Sequence, residues 1–281
     1  MFKNKIIRNI FRYLLYLFAI VGFIFVAVFF AMQFDLLKVN GSVSERNSYF
    51  NLNNGVKIQN TNTSEVVADW AKTAEWNLLK EVFTRDQAII KKAGDDAGIS
   101  PRLVLSGVMG EQLRFFGNRR ESFKGYFEPL KILAQLSKFS FGIAGLKPQT
   151  VQLIEEHLKD QNSKFYLGPE MEHVVDYSDG VNLDTERMNR ITNVSNPYYS
   201  YLYVGLYMRQ VEAQWERAGY PITGRPEILA TLYNLGFNRS IPKADAAAGG
   251  ATINVGGVNY TFGDFAYEFY YSSELADIFP Q

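Results

Sequence analysis

One glutamate, Glu111, is set into the stretch Leu103 to Phe116, which is otherwise mostly apolar. On a helix of 3.6 residues per turn, Val104, Gly107, Val108, Glu111 and Phe115 share one stripe, so the acid points where the apolar face points. Glutamate is almost never fully buried without a partner. Burial disfavours the charged form and raises the pKa. A carboxyl kept protonated near neutral pH can donate its proton to a leaving group as a general acid. The same residue also suits a helix end at which Glu111 pairs with Arg114 or reaches solvent. Other titratable groups are less organised. His157 and His173 lie in polar surroundings and form no ligand cluster, so surface roles are expected. Asp176, Asp179 and Asp184 hint at a calcium loop, but their spacing does not fit an EF-hand, and a solvated loop is expected. Neither a metal nor a cofactor is expected.

The elements that must position Glu111 are helical. Ser100-Pro101 reads as a cap followed by a first-turn proline, opening the Glu111 helix, which Gly117-Asn118 closes. Ahead of it, helices are expected over residues 68–80 and 86–97, the second stopped by Gly98. Residues 116–125, with Arg119, Arg120 and Lys124, read as a loop, and 149–159 as a short helix. Residues 160–197 lack periodicity, as expected of a lid or an insertion. Asn196-Pro197 is expected to open a helix over 198–218 with Val204, Met208, Val211 and Trp215 on one stripe. Pro226 opens another that ends at Gly236. Residues 252–262 read as a β-hairpin turning at Gly256-Gly257, and 265–279 as a last helix. The expected class is mainly α with one small hairpin.

Composition narrows the functions. The 29 basic and 29 acidic residues balance, so no basic field would draw nucleic acid. The absence of cysteine excludes disulfides, thiolate zinc sites and cysteine nucleophiles. Residues 14–32 form an uncharged run long enough to span a bilayer. Lys3, Lys5, Arg8 and Arg12 precede it. The positive-inside rule then leaves residues 1–13 in the cytoplasm and carries the rest of the chain across the inner membrane. The run is long for a signal peptide and no small-residue cleavage site follows, so an uncleaved anchor is expected. Residues 33–64 are polar and rich in Asn and Ser, as in a tether, and 65–281 are expected to form the extracytoplasmic domain.

Three segments, in order, resemble the lytic transglycosylase branch of the lysozyme-like superfamily. Ala93 to Glu111 resembles the helix, Gly-x-x-Pro-type entry and apolar helix that lead to that family's catalytic glutamate. Ser140 to Thr150 is similar to its cleft-lining stretch, and Ala230 to Gly236 to its Ala-x-Tyr-Asn-x-Gly motif. The chain departs from the family at Gln112, where Ser is usual, and at Gly145, where Gln is usual. The gaps between the motifs are also longer. The resemblance implies a lysozyme-like fold and a peptidoglycan strand as substrate. Glu111 would be the acid and base, and Tyr233 would orient it. Gln112, Ser140, Gly142, Ile143, Gly145 and Asn234 would line the sugar cleft. A lysozyme-type hydrolase, which would need a second carboxylate, and a non-catalytic wall-binding domain remain the alternatives.

Overall fold

The computed structural model describes residues 2–33, 69–116 and 142–281. Ser140, most of the expected tether, the loop carrying Arg119, Arg120 and Lys124, and the Gly117-Asn118 stop lie outside the described residues. Among those described, the chain is mainly helical with one two-stranded antiparallel sheet. The helices are α1 (Phe2–Gln33), α2 (Ala74–Arg85), α3 (Gln87–Ala97), α4 (Pro101–Phe116), α5 (Pro148–Lys159), α6 (Leu183–Thr192), α7 (Tyr198–Arg217) and α8 (Pro226–Leu235). Strands β1 (Thr252–Val255) and β2 (Val258–Thr261) then lead into α9 (Phe262–Tyr271).

Local chemistry explains where these elements start and stop. Gly98 adopts a left-handed φ of 68°, which closes α3. The Ser100 hydroxyl then accepts the Arg102 N–H at 3.3 Å, with Pro101 in the first turn of α4. Gly256 and Gly257, at φ 59° and 85°, make the two-residue turn that pairs Val255 with Val258. Positive φ at both positions matches the twist of a tight hairpin. Three boundaries differ from the sequence reading. Helix α2 begins at Ala74 because the Thr73 hydroxyl accepts the Trp76 N–H. Helix α7 has Pro197 itself as its cap, while Asn193 rather than Asn196 supplies the side-chain turn, accepting the Asn196 N–H at 2.9 Å. Helix α9 starts at Phe262, capped by Thr261, and ends at Tyr271, well short of residue 279.

Helix α7 is the axis of the domain. Ser200 to Met208 and Gln210 to Trp215 are buried, so it is covered on nearly every side. Helices α3, α4, α5, α6 and α8 pack around it. At Gly205 an added Cβ would lie 2.7 Å from Ala97 Cβ, so the missing side chain sets how closely α3 approaches. The irregular residues 160–182 are held as a packed insertion. Arg190 donates to the carbonyls of Val175 and Asp176 at 2.6 and 2.7 Å, and its guanidinium lies between the rings of Tyr177 and Tyr199. The buried Glu155 accepts from Arg187 at 2.7 Å and from the Tyr203 hydroxyl at 2.7 Å, and also from Tyr177.

Helix α1 differs from the rest. Every large hydrophobic described on it is exposed, with Phe18 at 73% and Phe23 at 74%. Among the described residues, no helix is long and apolar enough to cross a membrane.

Arg102 of α4 fastens the far end of the C-terminal segment. Arg102 is fully buried and donates all five of its N–H groups to main-chain carbonyls. Its Nε reaches Tyr270 at 2.8 Å, Nη1 reaches Glu274 and Phe279 at 2.9 and 3.0 Å, and Nη2 reaches Phe269 and Ser272 at 2.7 and 2.8 Å. The Phe269, Tyr270 and Ser272 carbonyls lie at the C-terminal end of α9, where a cation is also favoured by the helix dipole, and those of Glu274 and Phe279 lie beyond it. Trp70 and Trp76 add an aromatic face, with ring centroids 5.2 Å from Phe265 and 5.6 Å from Phe269. Arg102→Met is expected to destabilise the domain by about 3 kcal/mol or more, since buried carbonyls lose their donors. Arg102→Lys, with three donors instead of five, recovers only part of this. Thermal unfolding of the two variants checks the order, and equal stability of Met and wild type would contradict it.

Candidate active site

Two neighbouring pairs of residues build the site. Helix α4 supplies Glu111 and Gln112, and the end of α8 supplies Tyr233 and Asn234. Between them runs the turn Gly142 to Leu146, closed by the Gly145 N–H on the Gly142 carbonyl at 3.4 Å. Gln112 donates its amide to the Ile143 carbonyl, and the Tyr233 hydroxyl donates to the next carbonyl, Ala144, at 2.7 Å. Successive carbonyls of the turn are thus gripped from both helices. The next residue of the turn, Gly145, is pressed onto the Glu111 carboxyl.

Glu111 is 5% exposed. Its Oε1 accepts from Asn234 Nδ2 at 3.2 Å. A Cβ built on Gly145 would lie 2.9 Å from Oε2 and 3.2 Å from Cδ, closer than a side chain tolerates, and Gly145 has a φ of +62°. The carboxyl therefore sits against bare backbone on one side and an amide donor on another. Small residues on α4 let it sink this far. A Cβ on Gly107 would meet Met208 and Val204 of α7, and one on Gly110 would meet the Phe262 ring at 2.4–2.7 Å. Burial favours the neutral acid, while the amide donor favours the carboxylate, so the site holds opposing influences on one group.

The structure brings Glu111, Gln112, Ile143, Gly145, Tyr233 and Asn234 together, and Ser140 lies outside the described residues. Several roles change. Gln112 is fully buried with its amide engaged at Ile143, so it holds the turn instead of touching a sugar. Ile143 is 2% exposed and faces the core. Gly142, at φ +69°, makes room for the Ile191 carbonyl, which an added Cβ would meet at 1.8 Å. The Tyr233 hydroxyl bonds to the turn, and the donor on the carboxyl is Asn234.

Three participants were not singled out from the sequence. The Ala251 N–H donates to Asn234 Oδ1 at 2.8 Å, Gly250 leaves space beside that oxygen, and Phe262 covers Gly110. The glycine pair before the hairpin was the one signal that could have pointed to them. Among the described residues, no group of three His, Asp or Glu side chains could hold a metal ion. Comparison with family models, curated proteins and solved structures finds no match for this chain.

The contact between Gly145 and Glu111 is open to a direct test. Gly145→Ala is expected to cost about 2 kcal/mol, part from left-handed backbone strain and part from the displaced carboxyl. In a Glu111→Ala background the second part disappears. A double-mutant cycle by thermal unfolding should therefore give a coupling of ~1 kcal/mol, and strict additivity would contradict the packing.

Proposed function

We propose that this chain is a membrane-anchored peptidoglycan lytic transglycosylase of lysozyme-like fold, with Glu111 as its single acid and base. The observation that carries the reading is the Glu111 carboxyl itself, buried on an apolar helix and met by the Asn234 amide and the backbone of Gly145. The order of the three motif segments adds to it.

The chemistry follows from the two oxygens. Asn234 donates to Oε1, which favours the acidic proton on Oε2. The acid donates that proton to the glycosidic oxygen between N-acetylmuramic acid and N-acetylglucosamine, and the bond from the muramic C1 to that oxygen breaks. The N-acetylglucosamine leaves with its 4-hydroxyl restored. The carboxylate then takes the proton of the muramic C6 hydroxyl, whose oxygen closes on C1 as a 1,6-anhydro ring. Glu111 ends protonated again, and no water is consumed. A hydrolase would need a second carboxylate to activate water. Of the acids in the irregular segment and at the start of α6, Asp176 is engaged by Lys159 and His173, Asp184 pairs with Arg187, and Asp179 is exposed on a turn.

The membrane part of the reading rests on α1. Its exposed apolar side chains, preceded by Lys3, Lys5, Arg8 and Arg12, suit a helix solvated by lipid, with the N-terminus in the cytoplasm. The polar residues 33–64 would then hold the domain within reach of the wall. The anchor reading expects the full chain to stay with membranes through an alkaline carbonate wash, and release into the wash would overturn it.

Glu111→Gln should abolish cleavage of purified peptidoglycan by the full-length chain in detergent while leaving the melting temperature within a few degrees of wild type. The amide is nearly isosteric but carries no acidic proton. Release of muropeptides by this variant at near wild-type rate would remove Glu111 from the role of acid.

A further inference from the structure

Asn234 can face Glu111 in two ways. One turns the amide NH2 toward the carboxyl, and the other turns the carbonyl oxygen toward it. The two have opposite consequences, because a donor favours the carboxylate and an acceptor favours the protonated acid. The surroundings decide between them. The Ala251 N–H, at the entry to the hairpin, donates to Asn234 Oδ1 at 2.8 Å. An N–H can only meet an acceptor there, so the oxygen is fixed on Ala251 and the NH2 is left for Glu111.

Ala251 is itself held. Its carbonyl accepts the Phe262 N–H at 3.0 Å, and the Gly249 carbonyl accepts the Gly263 N–H at 2.9 Å. The Thr231 hydroxyl, one turn before Asn234 on α8, accepts the Gly249 N–H at 2.9 Å. Gly250, at φ +92°, lets this backbone pass, since an added Cβ would lie 3.1 Å from Asn234 Oδ1. The far end of α9 is locked to α4 by Arg102, nine residues before Glu111 in the same helix.

We infer that Ala251, through its main-chain N–H, is a positioning residue for Glu111. It sets the orientation of the Asn234 amide, and the C-terminal segment thereby tunes the proton affinity of the proposed acid. This rests on Glu111 being the acid only for its catalytic meaning, because the tuning itself is a property of the folded chain. Among the described residues, the titratable groups on the helices facing this end of α4 include Tyr233 from α8 and Tyr207 from α7, whose hydroxyls are engaged at the Ala144 and Leu232 carbonyls. From α9 the neighbour is Phe262, and β1 carries no titratable residue.

The test uses the full-length chain in detergent micelles with 13C-carboxyl-labelled glutamate, the Glu111 signal being assigned by its loss in Glu111→Gln. Asn234→Asp keeps an acceptor for Ala251 but places a carboxylate beside Glu111, so its titration midpoint should rise by ~1 unit or more. Asn234→Leu keeps the shape and removes both donor and acceptor. It should raise the midpoint by a smaller step and make the Ala251 amide exchange with solvent at least ~10-fold faster, while Asn234→Asp leaves that exchange slow. Unchanged midpoints in both variants, or unchanged Ala251 exchange in Asn234→Leu, would overturn the inference. Failure of the wild-type chain to cut peptidoglycan with these shifts present would count against the proposed activity and leave the tuning standing.

Discussion

A carboxyl on the buried face of a helix has to be met, and much of this domain can be read as the means of meeting Glu111. The group cannot leave water without either giving up its charge or gaining donors. Here an amide donor approaches from α8 and a bare stretch of backbone lies alongside the carboxyl. Each imposes a further demand. Backbone can lie against the carboxyl only if residue 145 has no side chain, and the turn carrying it must be held still, which Gln112 and Tyr233 do. The amide is held with its NH2 toward the carboxyl only if its oxygen is engaged elsewhere, and Ala251 engages it.

These demands tie the C-terminal segment to the site. The hairpin and α9 cover the core, as their buried Ile253, Val255, Phe262, Phe265 and Phe269 require, and they also complete the surroundings of the carboxyl. Arg102 and Gly110 are two points on α4 at which this segment grips the helix, through five carbonyls at one end and the Phe262 ring at the other. A buried guanidinium with every donor used is costly to desolvate but rigid once formed. That rigidity suits a residue whose work is to hold two elements in register around a third.

Helix periodicity and caps made most of the architecture legible from the sequence. Ser100-Pro101, Gly98, Pro226 and Gly256-Gly257 mark boundaries through local backbone preferences, and these do not depend on tertiary contacts. The end of α9 was not legible, because the donor that meets the carbonyls there is Arg102, some 170 residues earlier in the chain. For the site, the pairing of Glu111 with the Tyr233-Asn234 segment followed from a resemblance in motif order. The division of labour within it did not. Tyr233 and Asn234 are adjacent on one helix end, and only the placement of the Ala144 carbonyl and the Ala251 N–H decides which of them reaches the carboxyl. Gly145 carries no side chain, and packing on the Glu111 carboxyl supplies the reason.

The chemistry proposed for Glu111 leaves a signature in its product. The most direct measurement is the mass of the muropeptides released from purified peptidoglycan by the full-length chain. A single acid and base working without water predicts 1,6-anhydro ends, each one water lighter than a hydrolysed end. Reducing muramic ends, or an intact substrate in the presence of folded protein, would contradict the account.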